Sequence, residues 1–128
     1  MCMEKIRSYK DLIVYQKSYK LSIEVYRVTK KFPSSEIYGL VSQMRRCAIS
    51  IPCNIAEGYR RGRKEYIQFL RIAQGSGSEL ETLISLSKDL GLIDEAVFNS
   101  LYQMQEDVSR LLSGLIFSLS KPKEDRQK

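Results

Sequence analysis

Apolar residues recur every three or four positions in four separate stretches of this chain, and that period predicts four amphipathic helices. In the first, Val14, Leu21, Val25, Val28 and Phe32 keep a four-three spacing broken only by Ser18, and a tyrosine-rich stripe runs beside it through Leu12, Tyr15, Tyr19 and Tyr26. Asp11 stands where an N-cap carboxylate accepts the orphan N–H groups of a first turn, and Pro33 ends the helix. The second stretch contains ISIPCNI, which alternates like a strand only from Ile49 to Ile55, around a proline that an inner strand does not tolerate. The longer helical pattern Leu40, Met44, Ala48, Ile51, Ile55, Tyr59 prevails. Pro52 then sits inside a helix, removes the N–H that would bond Ala48, and predicts a bend costing about 3 kcal/mol.

At 100° per residue, Ile49, Cys53 and Ala56 fall on the face of this helix opposite Met44, Ile51 and Ile55. An isolated bundle leaves that outer strip in water, so it predicts self-association through Ile49, Cys53 and Ala56; the plainer reading is a few small apolar residues exposed by chance. The third helix is expected from about Lys64 to Leu90, with Tyr66, Leu70, Ala73, Gly77, Leu80, Ile84 and Ser87 on one seam. Gly75 and Gly77 weaken it, and Ser78 with Glu81 offers a fresh start, but the seam is in phase on both sides and one continuous helix is preferred. Gly91 marks the C-terminal cap. Asp94 caps the fourth helix, Ile93 and Phe98 staple its entry, and Phe98, Leu101, Gln105, Val108, Leu112, Leu115 and Leu119 form its seam. The expected fold is all-α, an antiparallel up-down four-helix bundle with a left-handed twist. It occupies residues 1–120, and a disordered charged tail follows at 121–128.

Composition changes this picture in one respect. Of the 128 residues, Met1 to Gln74 include 15 basic and 6 acidic, a net +9, whereas Gly75 to Lys128 include 6 basic and 9 acidic, a net −3. The first half therefore suits phosphates or an acidic protein surface. Three cysteines, Cys2, Cys47 and Cys53, with no histidine, fit reduced thiols in a cytoplasmic protein. Neither a signal peptide nor a membrane span is evident: the apolar run from Leu111 to Leu119 falls well short of the roughly 20 residues that a span needs.

Candidate chemistry is sparse. With no histidine the common Ser and Cys pairings for nucleophilic catalysis are absent, and Cys47 and Cys53 neither share a helix face nor find partners for a zinc shell. Carboxylates at Glu79 with Glu81, and Glu106 with Asp107, point in different directions on a helix. No enzyme, metal or cofactor is expected. What remains is a set of cations, Lys17, Lys20, Arg27, Lys30 and Lys31 on the first helix, Arg45 and Arg46 on the second, and Arg60, Arg61, Arg63 and Lys64 at the joint into the third, accompanied by Tyr19, Tyr26, Tyr59 and Tyr66. Two readings stay open. The cations contact a phosphate backbone while the rings stack on unpaired bases, or the cations pair with carboxylates while the rings complete the apolar seam.

The stretches YKDLIVYQKSYKLSIEVY at 9–26, FPSSEIYGLVSQMRRCAISIPCNIAEGYRR at 32–61 and KEYIQFLRIAQGSGSELETLI at 64–84, with LSGLI in the last helix, resemble the proteins encoded in intervening sequences of bacterial 23S ribosomal RNA genes. The resemblance spans almost the whole chain. It implies a closed antiparallel bundle related to the accessory protein of diversity-generating retroelements, a positively charged homopentameric ring that binds nucleic acid and a reverse transcriptase. Carried over, it places Arg45, Arg46, Arg60, Arg61 and Arg63 at basic positions of the motif and the outer strip of the second helix at a subunit contact. Gly77 departs from the larger apolar residue expected there. The leading expectation is a non-catalytic RNA- or DNA-binding homo-oligomer; the alternative is an adaptor for another protein, such as a reverse transcriptase, without direct nucleic-acid contact.

Overall fold

The computed structural model describes residues 6–122; the expected tail lies outside them from residue 123 onward. Four long helices account for most of these residues: α1 (Ile13–Thr29), α2 (Ser42–Tyr59), α3 (Arg63–Asp89) and α4 (Glu95–Ser120). Each packs on its neighbours in sequence, and α4 returns against α1 to close an antiparallel four-helix bundle. The core is the predicted seam. Val14, Leu21 and Val25 of α1, Met44, Ile51 and Ile55 of α2, Leu70, Leu80 and Ile84 of α3, and Leu101, Val108 and Leu112 of α4 are buried. All seven seam positions named for α3 are buried, whereas the α4 seam shifts after Leu112 from Leu115 to Ile116.

The joints follow their capping residues. α3 ends in a Schellman arrangement: Gly91 adopts a left-handed φ of 77°, its N–H bonds the carbonyl of Lys88, and the N–H of Leu92 bonds that of Ser87, both at 2.9 Å. Asp94 caps α4 through a bond of 2.8 Å from the N–H of Val97. Asp11 does not cap α1. Its carboxylate turns back to accept from the N–H groups of Arg7 and Ser8, completing a capping box with Ser8 around a short 3-10 turn (Tyr9–Asp11), and α1 starts after Leu12 with no side-chain cap.

α2 is unbroken through Pro52, and the departure from helical geometry falls earlier, at Gly39 (φ −108°, ψ −108°), within a π-helical turn (Ile37–Val41) that carries Leu40. The carbonyl that Pro52 deprives of a partner is not left bare: the hydroxyl of Ser22 on α1 lies 2.9 Å from the oxygen of Ala48 and 3.0 Å from that of its own Ser18. α3 is continuous through Gly75 to Ser78. A Cβ at Gly77 would lie 3.0 Å from Nε2 of Gln105, so the glycine there makes room for this buried amide of α4, whose Oε1 finds no partner among the described residues.

Candidate nucleic-acid interface

The antiparallel course brings the α2–α3 joint to the same end of the bundle as the start of α1 and the end of α4. Arg60, Arg61, Arg63 and Lys64 cluster there, all exposed. The guanidinium of Arg60 lies 5.5 Å from the ring centre of Tyr9, and Nη1 of Arg63 donates to the terminal carbonyl of Leu119 at 2.6 Å. That carbonyl sits at the negative end of the α4 dipole, so it orients the arginine without neutralising it. Arg61 is held by Glu57, with Glu65 at 4.0 Å, and rests over Phe69. The hydrogen bond and charge of Glu57 push its pKa still higher, so it stays protonated but is largely spoken for.

One cation of this end is absent from the expected set. Arg71 follows Lys64 by two helical turns and lies on the same face of α3. Arg63, Lys64 and Arg71 line a shallow depression of about 320 Å³ beside Ser120, and no carboxylate lines it. The seven-residue interval was the available signal.

Arg45 and Arg46 stand elsewhere. At 1.5 Å per residue they lie roughly 22 Å along α2 from Arg60. Arg45 is woven into the fold: its Nε bonds Oγ1 of Thr29 at 2.9 Å, its Nη2 reaches the carbonyl of Tyr26 at 3.4 Å, and its guanidinium stacks 4.4 Å from the Tyr26 ring centre. It thereby closes the C-terminal end of α1. Arg46 pairs with Glu79 at 2.9 Å. Neither joins the basic end.

Ile49, Cys53 and Ala56 do share a surface. They form one wall of an apolar groove of about 620 Å³ between α1 and α2, facing Tyr15, Tyr19 and Tyr26. Tyr9 and Tyr15 meet edge to face with ring centres 5.0 Å apart, and Tyr15 and Tyr19 lie 5.9 Å apart. Burial, reinforced by the neighbouring Tyr9 and Tyr19, raises the Tyr15 pKa. Tyr59 and Tyr66 pack against each other at 5.9 Å instead, and burial pushes the Tyr66 phenol up to about 12. The two open readings of the tyrosines therefore divide by position: Tyr66 belongs to the core, while Tyr19 and Tyr26 are exposed along the groove.

The buried Cys47 thiol is pushed up to about 11 by desolvation and by Glu79, which leaves it protonated and unreactive near neutral pH. Among the described residues no group of three or more His, Cys, Asp or Glu is placed to hold a metal ion, and no helix is long and apolar enough to cross a membrane.

Comparison with known proteins agrees with this architecture. A crystal structure from Bacteroides thetaiotaomicron, of a protein with unknown function from the S23 ribosomal protein family, superposes with a TM-score of 0.74 at 22% identity, covering 81% of this chain and 98% of that one. At that identity the likeness is one of fold. No curated protein matches. The family model described as 23S rRNA-intervening sequence protein matches residues 10–114, and the chain belongs to that family.

Proposed function

We propose that this protein binds nucleic acid without catalysing a reaction, holding phosphates at the basic end of the bundle. The observation that carries the reading is the depression around Arg63, Lys64 and Arg71, three exposed cations converging with no carboxylate among them. Arg60 adds a fourth, likewise without a carboxylate partner among the described residues. Such a surface fits the phosphate backbone, which supplies affinity with little sequence preference. The description of the family makes ribosomal RNA the first nucleic acid to try.

Fluorescence anisotropy with a structured RNA and a matched duplex DNA over a range of salt tests this directly. The expected result is a linear fall of log affinity with log salt, with a slope of about 0.7 to 0.9 per phosphate contacted. Replacing Lys64 and Arg71 together by alanine should reduce that slope by about two contacts and weaken binding to both nucleic acids. Arg45→Ala should leave the slope unchanged, because its guanidinium is occupied by Thr29 and Tyr26. No binding at low salt would overturn the reading and return the basic end to a protein partner.

A further inference from the structure

The α1/α2 groove has the form of a site that the basic end does not explain. Its volume of about 620 Å³ lies within the roughly 300–1,000 Å³ of pockets that enclose small ligands. Tyr9, Tyr15 and Tyr19 stand in succession along one wall. None of the hydroxyls of Tyr9, Tyr15, Tyr19 or Tyr26 has a hydrogen-bond partner among the described residues. No acidic side chain lines the groove, whereas Arg27 and Lys30 do; Arg27 is paired with Glu24, which leaves Lys30 as the lining cation without an ion pair among the described residues. Arg60 stacks on Tyr9 where the groove meets the basic end, whereas Arg45, stacked on Tyr26 toward the other end and bonded to Thr29, serves the fold and not a ligand.

An occupant that answers all of these features is flat and apolar across its faces, polar at its edge and anionic along its length. An unpaired run of nucleotides has that chemistry, since aromatic rings stack on exposed base faces and nearby cations follow the backbone. A duplex hides those faces within its own stack. A packed helix from a second copy would cover the apolar wall, but it would have to supply partners for the tyrosine hydroxyls or bury them bare.

We infer that the groove seats unpaired bases of a single strand whose phosphates continue onto the basic end. The inference rests on the nucleic-acid reading above and adds to it the state of the strand. The protein therefore prefers single-stranded to duplex nucleic acid, and the preference resides in the tyrosines while the salt dependence resides in the basic end.

The test compares an unstructured pyrimidine RNA with a hairpin duplex of matched length, against the wild-type chain, Tyr19→Ala, Tyr19→Phe and the Lys64→Ala, Arg71→Ala pair. Tyr19 is 51% exposed, so both of its variants should fold, which their circular dichroism melts would verify. The expected result is tighter binding of the single strand, at least about fivefold weaker in Tyr19→Ala, with duplex binding unchanged. Tyr19→Phe keeps the stacking face and should retain the preference. The chain has no tryptophan, so quenching of tyrosine fluorescence by the single strand supplies a second readout. Equal affinity for both strands, together with a harmless Tyr19→Ala, would overturn the groove while leaving the basic end standing if the double variant still weakens both. An oligomer in sedimentation that Ile49→Glu dissociates, with strand preference intact, would assign the groove to a second copy and overturn the inference. Loss of binding to both nucleic acids at low salt would remove both readings.

Discussion

The hydroxyl of Ser22 does for Ala48 what the backbone of residue 52 cannot. Proline has no N–H, so the carbonyl four residues earlier loses its helical partner in a site with no access to water. A donor 26 positions away, on a different helix, lies 2.9 Å from it. Ser22→Ala should destabilise the protein by about 1–3 kcal/mol, the cost of a buried acceptor left unpaired. Restoring the amide with Pro52→Ala should shrink that cost, so a double-mutant cycle read by urea unfolding would show a positive coupling between the two sites; purely additive effects would contradict it. The proline and its place in a helix were legible in the pattern, but its remedy was not. Periodicity records which residues face inward and is silent on which inward-facing groups meet. Ser18 thus broke the apolar rhythm of α1 and Ser22 fell outside it, although both are buried. The same limit hid the fates of the arginines, since Arg46 finds Glu79 33 positions on and Arg63 finds Leu119 56 positions on.

At the scale of the element, the glycines separate by what surrounds them. In α3, a Cβ at Gly75 would meet nothing within 4 Å among the described residues, whereas a Cβ at Gly58 of α2 would lie 2.6 Å from Cβ of Phe69. Gly75→Ala should therefore stabilise the protein by about 0.5–1 kcal/mol, the helix propensity difference. Gly58→Ala should destabilise it by about 1–3 kcal/mol, because α2 and α3 must move apart to admit the methyl group. Thermal melts of the two variants check the opposite signs. The continuity of α3 was readable from its seam, which stays in phase across both glycines. The start of α1 was not, because Asp11 satisfies the rule for a cap in sequence and only the path of the chain shows its carboxylate turned backward. The irregular turn before α2 was missed for a related reason: Leu40 continues the apolar spacing although Gly39 departs from helical geometry.

For the whole molecule, the buried thiol and phenol set an alkaline limit. Cys47 is raised from 9.0 to about 11 and Tyr66 from 10.0 to about 12, each chiefly by desolvation. Once unfolded, both release their protons at the lower values, so above about pH 9 the unfolded chain binds fewer protons than the folded one and stability falls with rising pH. Their contribution is fully present below the unfolded pKa values and is lost through the folded ones. Urea midpoints should decline from pH 9 toward pH 11, and Cys47→Ala, though less stable at pH 8, should decline less steeply across that interval. The distribution of charge between the two halves of the chain was visible in composition, and the four-helix architecture in spacing. The basic end was only half visible. Arg71 completes it through the geometry of α3, and Arg45 and Arg46 leave it because α2 carries them to a distant level of the bundle.

The two described cysteines occupy opposite settings: Cys47 is sealed in the core, while Cys53 is exposed on the wall of the groove. The chain thus carries its own chemical witness. In a variant with Cys2 replaced by serine, a thiol-reactive dye would label Cys53 and pass over Cys47, and the labelling rate would register whatever covers that wall, whether a strand of nucleic acid or another copy of the chain.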